Sequence, residues 1–437
     1  MIESGKKKFY LFLLSLIIFS LQFETLPLPV KVQIIPLTSI LVFFYIVFMY
    51  ERVALTPVFA TFFIFFIYVT LHSIVALNVD IISNLGEPIR FISWVRQFLA
   101  LISGFLIFKV LRYLLRYVDI YWVSKRVVIF SLLSIMIGIL NFIWGFLNVQ
   151  IAGELVKMIR SFIAPYGYIS PIRSSGLSLE PSHFAGFIVI IILPALLIYW
   201  RLHKKRAILI LLFVTLSFFW TFSMAGFVLL FLFTAFAIVL GPQRKYAIIA
   251  GFWSFLLFIF ALFFFPNTQI IRHLSTMIIG NLSISIIDRF YSTFGPFLNL
   301  FSSFNVIGYG LGSSVYYLSE MIPKDLYIHI ISVRWKELPS LGTLVGRIFA
   351  ETGIIGLFLF FSIFAIGYSQ INKLIKFEKD KVLKTHYKIV RLGYILSFIS
   401  LFFLFGSFHQ PYFWFWLAII DSMFIKNFPH YLYVQTS

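Results

Sequence analysis

The stretch AILILLFVTLSFFWTFSMAGFVLLFLFTAFAIVL, residues 207-240, decides how this chain is organised. It carries no charged side chain and is long enough for either one long helix or two shorter ones. A helix needs about 20 apolar residues to cross a hydrocarbon core of ~30 Å. Because Ser223 and Gly226 interrupt the apolar run, we predict two helices that separate at residues 221-226.

The whole chain shares this apolar character. Hydrophobic residues make up 61% of it and charged residues 12%, whereas soluble proteins carry about 25% charged residues. We therefore predict an all-α, polytopic membrane protein that forms a single transmembrane domain over residues 1-437. Cysteine is absent, which excludes disulfides and thiolate metal sites. No small-residue cleavage site follows the apolar run that ends at Phe23, so we predict that the first span is a signal-anchor.

Apolar windows of spanning length predict about 12 transmembrane helices. They lie near 9-26, 34-50, 55-77, 91-111, 127-147, 181-200, 207-222, 224-240, 246-265, 348-369, 391-408 and 412-428. The two longest polar segments between them are an extracytoplasmic loop at 148-180 and a large extracytoplasmic loop at 266-347, which precedes the last three spans. We expect the function to reside in these two loops.

The distribution of positive charge predicts the orientation. With both termini in the cytoplasm, 23 of the 35 Lys and Arg residues face inward, as the positive-inside rule requires. A single helix at 207-240 would send Lys373 and Lys388 to the opposite side, which favours the split. The net charge of +19 is thus mostly topogenic, and nucleic acid is not an expected partner.

The basic residues expected outside differ in kind from those inside. Arginine accounts for eight of the twelve outer residues but only eight of the 23 inner ones. A planar guanidinium binds phosphate in a bidentate manner, which topology alone does not require. We predict a phosphate or pyrophosphate ligand on the outer face; the alternative is that these arginines pair with acidic residues or lipid head groups. The eight are Arg90, Arg96, Arg160, Arg173, Arg272, Arg289, Arg334 and Arg347.

The first of three polar motifs is Arg173-Ser-Ser-Gly176-Leu-Ser-Leu-Glu180-Pro181-Ser182-His183. It is typical of a polar loop that enters a helix, because proline suits the first helical turn and Glu180 or Ser182 can cap it. An anion is favoured beside such a helix start, and Arg173 would reach it from the loop.

The second motif runs from Asp288-Arg289-Phe290-Tyr291 to Gly308-Tyr-Gly310-Leu-Gly312. Its glycines lack the preceding strand of a dinucleotide site. They predict instead a flexible turn that brings backbone N–H groups near an anion or a sugar.

The third motif is Gly342-Thr343-Leu-Val-Gly-Arg347-Ile-Phe-Ala350-Glu351-Thr-Gly353-Ile-Ile-Gly356. Here the large loop returns into the tenth span. Arg347 and Glu351 are four residues apart on a helix, a spacing that permits a local ion pair.

In this order, the three motifs resemble the O-antigen ligase and polymerase superfamily, polytopic enzymes that handle undecaprenyl-pyrophosphate-linked glycans. The resemblance covers about residues 165-370 and includes the large loop before the last three spans. It implies a GT-C-like helical bundle in the bacterial inner membrane with its active site facing the periplasm. The implied reaction is an inverting glycosyl transfer that uses neither metal nor cofactor.

Two departures from the family pattern bear on the branch. The ligase branch, which moves glycan onto lipid A core, commonly has a histidine and then an asparagine where this chain has Gly342 and Thr343. We therefore predict a Wzy-type polymerase, with a ligase as the alternative. The family often has an arginine after the serine that matches Ser223, and here Met224 stands there. From a different class, a lipid-linked oligosaccharide flippase would need charged or broken helices through the bilayer midplane.

The resemblance also implies roles for individual residues. The donor pyrophosphate would be held by Arg173, Arg289, Arg347 and Arg90; the general base would be Glu180 or His329; the glycan would contact His183, Tyr291 and Arg334. Other histidines that are acid–base candidates are His273 and His409. No His, Asp or Glu cluster has metal-ligand spacing. The expected partners are the undecaprenyl-pyrophosphate-linked oligosaccharide as donor and acceptor, membrane lipid, and a chain-length regulator protein as a candidate.

Overall fold

The computed structural model describes residues 2-23, 37-48, 55-77, 89-163, 169-241, 284-303, 306-314 and 341-429. Within these ranges every regular element longer than one residue is a helix, which confirms the all-α prediction. The helices are α1 Ile2–Ser20, α2 Leu37–Phe48, α3 Pro57–Leu77, α4 Ile89–Leu114, α5 Ile120–Leu147, α6 Gln150–Ile163, α7 Pro181–Trp200, α8 Lys204–Phe219, α9 Met224–Leu240, α10 Ile284–Ser303, α11 Leu344–Phe377, α12 Lys381–Ser400 and α13 Pro411–Asn427.

Among the described residues, five stretches of helix are long and apolar enough to cross a membrane. They are Pro57–Val75, Ser93–Tyr117, Ile120–Leu147, Pro181–Trp200 and Leu344–Phe377. This supports a membrane-embedded protein. Helices overlap eleven of the twelve apolar windows; the remaining window, 246-265, lies outside the described residues, as does most of the large loop at 266-347.

The predicted break at 221-226 is confirmed. Helix α8 ends at Phe219 and α9 begins at Met224. Phe222 adopts a left-handed φ of 43°, and the Ser223 Oγ accepts a hydrogen bond from the Gly226 N–H at 3.1 Å. The serine caps α9 in the usual way, a role that the sequence analysis did not predict.

The eleventh window differs from the structure. The prediction was a span at 391-408, but α12 runs from Lys381 to Ser400. It starts early because the Asp380 carboxylate accepts the N–H groups of Val382 and Leu383 and so caps the helix. Residues 401-410 consequently form a turn between α12 and α13, which we call the 401-410 turn.

Helix α7 contains a π-helical turn at Ile188–Ile192 that the sequence did not predict. Pro194 has no N–H to donate to the carbonyl of Ile190 four residues earlier. The Trp416 Nε1 donates to that carbonyl instead, at 3.0 Å. The wider turn therefore fastens α7 to α13.

Helix α13 lies at the centre of the bundle. All its residues from Pro411 to Ile425 are buried, and the Trp414 ring stacks on Phe62 of α3 with centroids 4.6 Å apart. Toward one end of α13, Asp421 forms an ion pair with Arg112 of α4 at 2.6 Å. The other end of α13 begins at the 401-410 turn.

Candidate functional site

The first and third motifs meet at the 401-410 turn. The Leu344 N–H, at the start of α11, donates to the Phe405 carbonyl at 2.7 Å. Gly406 lies so close that a Cβ there would be 2.9 Å from the Gly342 carbonyl oxygen. From the other side, the His183 ring of α7 contacts the Phe405 ring at 5.3 Å. Phe405 is therefore the link between the two motifs.

The first half of the second motif, on α10, joins them. The Gly342 N–H donates to Ser292 Oγ at 3.1 Å, and Thr343 Oγ1 donates to the Ser292 carbonyl at 3.0 Å. Gly346 permits this approach, because a Cβ there would overlap the same carbonyl. Arg289 and Tyr291 are half-buried beside this junction, so the structure brings them to the third motif.

The loop of the first motif is anchored on the break between α8 and α9. Arg173 Nε donates to the Thr221 carbonyl at 3.0 Å, and the Ser174 N–H donates to the Trp220 carbonyl at 2.8 Å. Asn141 of α5 donates to the Arg173 carbonyl at 3.3 Å. The interruption at 221-226 thus has a second role, which is to hold the arginine of the loop.

Glu180 stands at the N-cap position of α7, but the prediction that Glu180 or Ser182 caps the helix through its side chain is wrong. Ser182 Oγ donates to Glu180 Oε2 at 3.2 Å instead, so the two candidate caps bond to each other. The Glu180 side chain is exposed. It lies three residues from His183, whose ring faces the 401-410 turn.

The glycine-rich turn does gather N–H groups around an anion, and that anion is Glu351 of the protein itself. Gly308, Gly310 and Gly312 all have left-handed φ, at 86°, 92° and 78°. The backbone N–H groups of Gly312 and Ser314 bond to the Glu351 carboxylate, and Ser314 Oγ donates to it at 2.7 Å. The Gly310 N–H bonds to the Glu351 carbonyl at 2.8 Å. The turn therefore binds α11.

Arg347 and Glu351 do not form the direct ion pair that their spacing permits. Arg347 donates to Gln97 Oε1 of α4 at 2.9 Å and to the Leu341 carbonyl at 3.0 Å. Glu351 is held by the glycine-rich turn. Each charge has a partner from another segment, although the two still attract each other through the protein interior. Gln97 was not predicted, because a glutamine 250 positions away in sequence gives no sign of this contact.

Five predicted residues cannot be placed. Arg90 lies in the first turn of α4, but its side chain is outside the described part of the structure. Arg272, His273, His329 and Arg334 also lie outside it. Their roles stay predictions. Within the described ranges, no three His, Asp or Glu side chains group closely enough to hold a metal ion.

His409, which the sequence indicated only as one histidine among several, lies in the 401-410 turn. Its Nδ1 shares a hydrogen bond with Ser407 Oγ at 2.8 Å. Burial, together with the positive charge of Arg347, lowers the pKa of His409 to about 4. The imidazole is consequently neutral at physiological pH, the form that accepts a proton.

This pKa predicts a pH-dependent stability. In the unfolded chain the pKa of His409 returns to about 6.5, so between pH 6.5 and 4 the unfolded state binds a proton that the folded state does not. The free energy of unfolding should fall as the pH falls through that window. We expect the melting temperature in detergent to fall less across the same window in His409→Gln than in the wild type. Parallel curves for the two proteins would contradict the prediction.

A scan against protein-family models finds no match for this chain, and a search of curated proteins finds none. The resemblance to the O-antigen ligase and polymerase superfamily therefore rests on the three sequence motifs alone.

Proposed function

We propose that the protein is a polymerase that joins undecaprenyl-pyrophosphate-linked oligosaccharide repeat units into O-antigen or a related surface polysaccharide. The observation that carries this proposal is the meeting of three distant motifs around one turn. Segments 173-186, 289-314 and 342-356 join through Phe405, Ser292 and Glu351, as described above. Three motifs that act on one substrate must lie at a common site. Motifs that only pack helices together would have no reason to meet.

The proposed topology has twelve spans, cytoplasmic termini and a site that faces the periplasm. Eleven helices at the predicted windows support it. The buried ion pair between Arg112 and Asp421 is far from the site. Arg112 lies fifteen residues from Gln97, the partner of Arg347, on the same helix α4, which is roughly 22 Å at 1.5 Å per residue. Arg347, which bonds to Gln97, thus lies toward the opposite end of α4 from that pair.

In the proposed mechanism, the donor pyrophosphate lies against Arg173 and Arg289, with Arg347 behind them and Arg90 as a further candidate. The acceptor sugar hydroxyl attacks the donor anomeric carbon, and the bond from that carbon to the pyrophosphate oxygen breaks. Polyprenyl pyrophosphate leaves, and the configuration inverts. Negative charge grows on the leaving group, so fixed guanidinium groups stabilise the transition state more than the ground state.

The hydroxyl proton passes to a general base. Glu180 is the candidate with structural support, because its carboxylate is exposed beside Ser182 and His183. His329 remains the alternative. His409 is a weaker candidate, because burial and the charge of Arg347 lower its pKa to about 4, far below the operating pH at which a general base works best. His183, Tyr291 and Arg334 are proposed to contact the sugars.

The direct test incubates purified protein with a synthetic polyprenyl-pyrophosphate repeat unit and separates the products by length. We expect a ladder from the wild type. Arg173→Ala or Arg289→Ala should lower its rate by about 10²-fold, the usual cost of losing one contact to a developing oxyanion. Arg206→Ala is the control, since that arginine is exposed in the first turn of α8 and is one of the eight arginines expected on the cytoplasmic side. A normal ladder from either site variant would contradict the assignment.

Loss of the gene in cells distinguishes the alternatives. Without a polymerase, single repeat units still reach the cell surface. Without a ligase, none are attached there. A flippase would instead move lipid-linked oligosaccharide across liposomes and form no polymer. A chain-length regulator that binds the protein would narrow the range of polymer lengths, but polymerisation itself would not require it.

A further inference from the structure

Helix α6, which the sequence analysis left inside the loop at 148-180, has three distinct faces. One face packs against the protein, and its buried residues are Ala152, Gly153, Val156 and Arg160. A second face is apolar and exposed, with side chains that are 40% to 71% accessible: Ile151, Leu155, Met158 and Phe162. A third face is polar and exposed, and consists of Gln150, Glu154, Lys157 and Ser161. At about 100° per residue, each set forms a continuous stripe.

The three stripes correspond to three environments, which are protein, lipid and water. The helix is 14 residues long, or about 21 Å, which is too short to cross a core of ~30 Å. A helix with one apolar and one polar exposed face lies in the plane of a membrane surface, with the apolar face toward the acyl chains. The remaining face contacts the protein.

The neighbouring residues of α5 fix the depth of α6. The Trp144 ring, near the end of α5, lies under Gly153, and the Lys157 ammonium lies 5.1 Å from that ring. Tryptophan and lysine at the end of a span are typical of the membrane–water interface. The exposed apolar residues Phe146 and Leu147 continue the lipid-facing surface of α5 directly into α6.

We propose that α6 is an interfacial helix that lies in the leaflet beside the candidate site, with Ile151, Leu155, Met158 and Phe162 inserted among lipid acyl chains. The apolar stripe of α6 is therefore covered by lipid and not by another protein.

The buried face connects this helix to the site. Arg160 is 1% exposed, and its Nη1 donates to the Gly176 carbonyl at 2.5 Å and to the Ser178 carbonyl at 3.0 Å. These two carbonyls belong to the loop between Arg173 and Glu180. The loop is thereby fixed at the level of the membrane surface, which, if the proposed function is correct, is where the pyrophosphate of a membrane-anchored donor would be.

The test uses the absence of native cysteines, which makes every introduced cysteine a unique label site. Leu155→Cys and Met158→Cys report on the apolar stripe, and Lys157→Cys and Ser161→Cys report on the polar stripe of the same turns. Each full-length variant is labelled with a nitroxide and reconstituted in phospholipid nanodiscs. Collision rates are then measured with oxygen, which concentrates in lipid, and with a water-soluble nickel chelate.

We expect the ratio of oxygen to nickel collisions to be several-fold higher at positions 155 and 158 than at 157 and 161. Equal ratios at the two stripes would overturn the proposal. Exclusion of both reagents from 155 and 158 would overturn it as well, because a protein partner would then cover the apolar stripe. The measurement needs no enzymatic activity, so its failure and the failure of the proposed function are distinguishable.

Discussion

Arg347→Ala is expected to abolish detectable polymer and to lower the free energy of unfolding by about 3 to 5 kcal/mol, the usual cost of breaking a buried charge arrangement. Arg347 is only 4% exposed, and it bonds to Gln97 of α4 and to the carbonyl of Leu341. Its removal leaves these two acceptors without their donor and leaves the buried Glu351 carboxylate without the nearby positive charge. Thermal unfolding in detergent and the ladder assay measure the two effects.

A double variant separates stability from function. In Arg347→Met combined with Glu351→Gln, both charges are gone while the side-chain volumes are nearly kept. The amide oxygen that then replaces the carboxylate at position 351 can still accept from Ser314. We expect the double variant to be more stable than Arg347→Ala, although Gln97 and the Leu341 carbonyl still lack their donor, but to make no polymer. A double variant that makes a normal ladder would mean that Arg347 only supports the fold and does not act on the pyrophosphate.

Arg347→Lys completes the test. A lysine carries the same charge, but it lacks the fork that donates to two acceptors on separate segments. We therefore expect Arg347→Lys to lose most of the activity. Activity equal to the wild type would show that charge alone is needed.

The helices could be predicted from the sequence because a helix that crosses lipid must satisfy its own backbone and show an apolar surface over its whole length. Breaks between helices could be predicted equally well where polar or small residues interrupt the apolar pattern. Ser223 and Gly226 indicated the break between α8 and α9 because they interrupt the apolar run. The side-chain cap predicted at Glu180 or Ser182 was wrong, since the Ser182 hydroxyl donates to the Glu180 carboxylate instead.

The assembly of the site could not be predicted in the same way. Whether the glycine-rich turn binds a ligand or the chain itself depends on what is opposite it, and the partner is Glu351 on α11. Likewise Phe405, which joins the first and third motifs, lies in a stretch that the apolar pattern assigned to a span. Such contacts join segments that are far apart in the chain, and a single sequence carries no periodicity that reports them.

Asp421→Ala should be the most destabilising change outside the site. Its carboxylate is fully buried, forms an ion pair with Arg112 of α4 at 2.6 Å, and accepts hydrogen bonds from Thr56 at 2.9 Å and from Gln370 of α11 at 3.1 Å. One side chain thereby ties four segments of the bundle. Removal of the carboxylate leaves the Arg112 guanidinium buried without its counter-charge, at a cost of about 3 to 5 kcal/mol. Thr56→Val removes two hydrogen bonds, the one that Thr56 Oγ1 donates to Asp421 and the one that it accepts from the Phe59 N–H, and should cost about 2 kcal/mol.

The reason for this difference also predicts a rescue. The desolvation of two charges offsets much of their attraction, so a buried pair replaced by apolar residues of similar volume is often as stable as the original. Arg112→Met combined with Asp421→Leu should therefore recover much of the stability that either single change loses, although the Thr56 hydroxyl and the Gln370 amide still lack their acceptor. Arg112 also lies 4.9 Å from the Phe59 ring, a contact that methionine can keep as a sulfur–aromatic one. Since the pair is remote from the 401-410 turn, the double variant should make a normal ladder. A folded double variant that makes no polymer would show that this ion pair takes part in the reaction cycle in addition to stabilising the bundle.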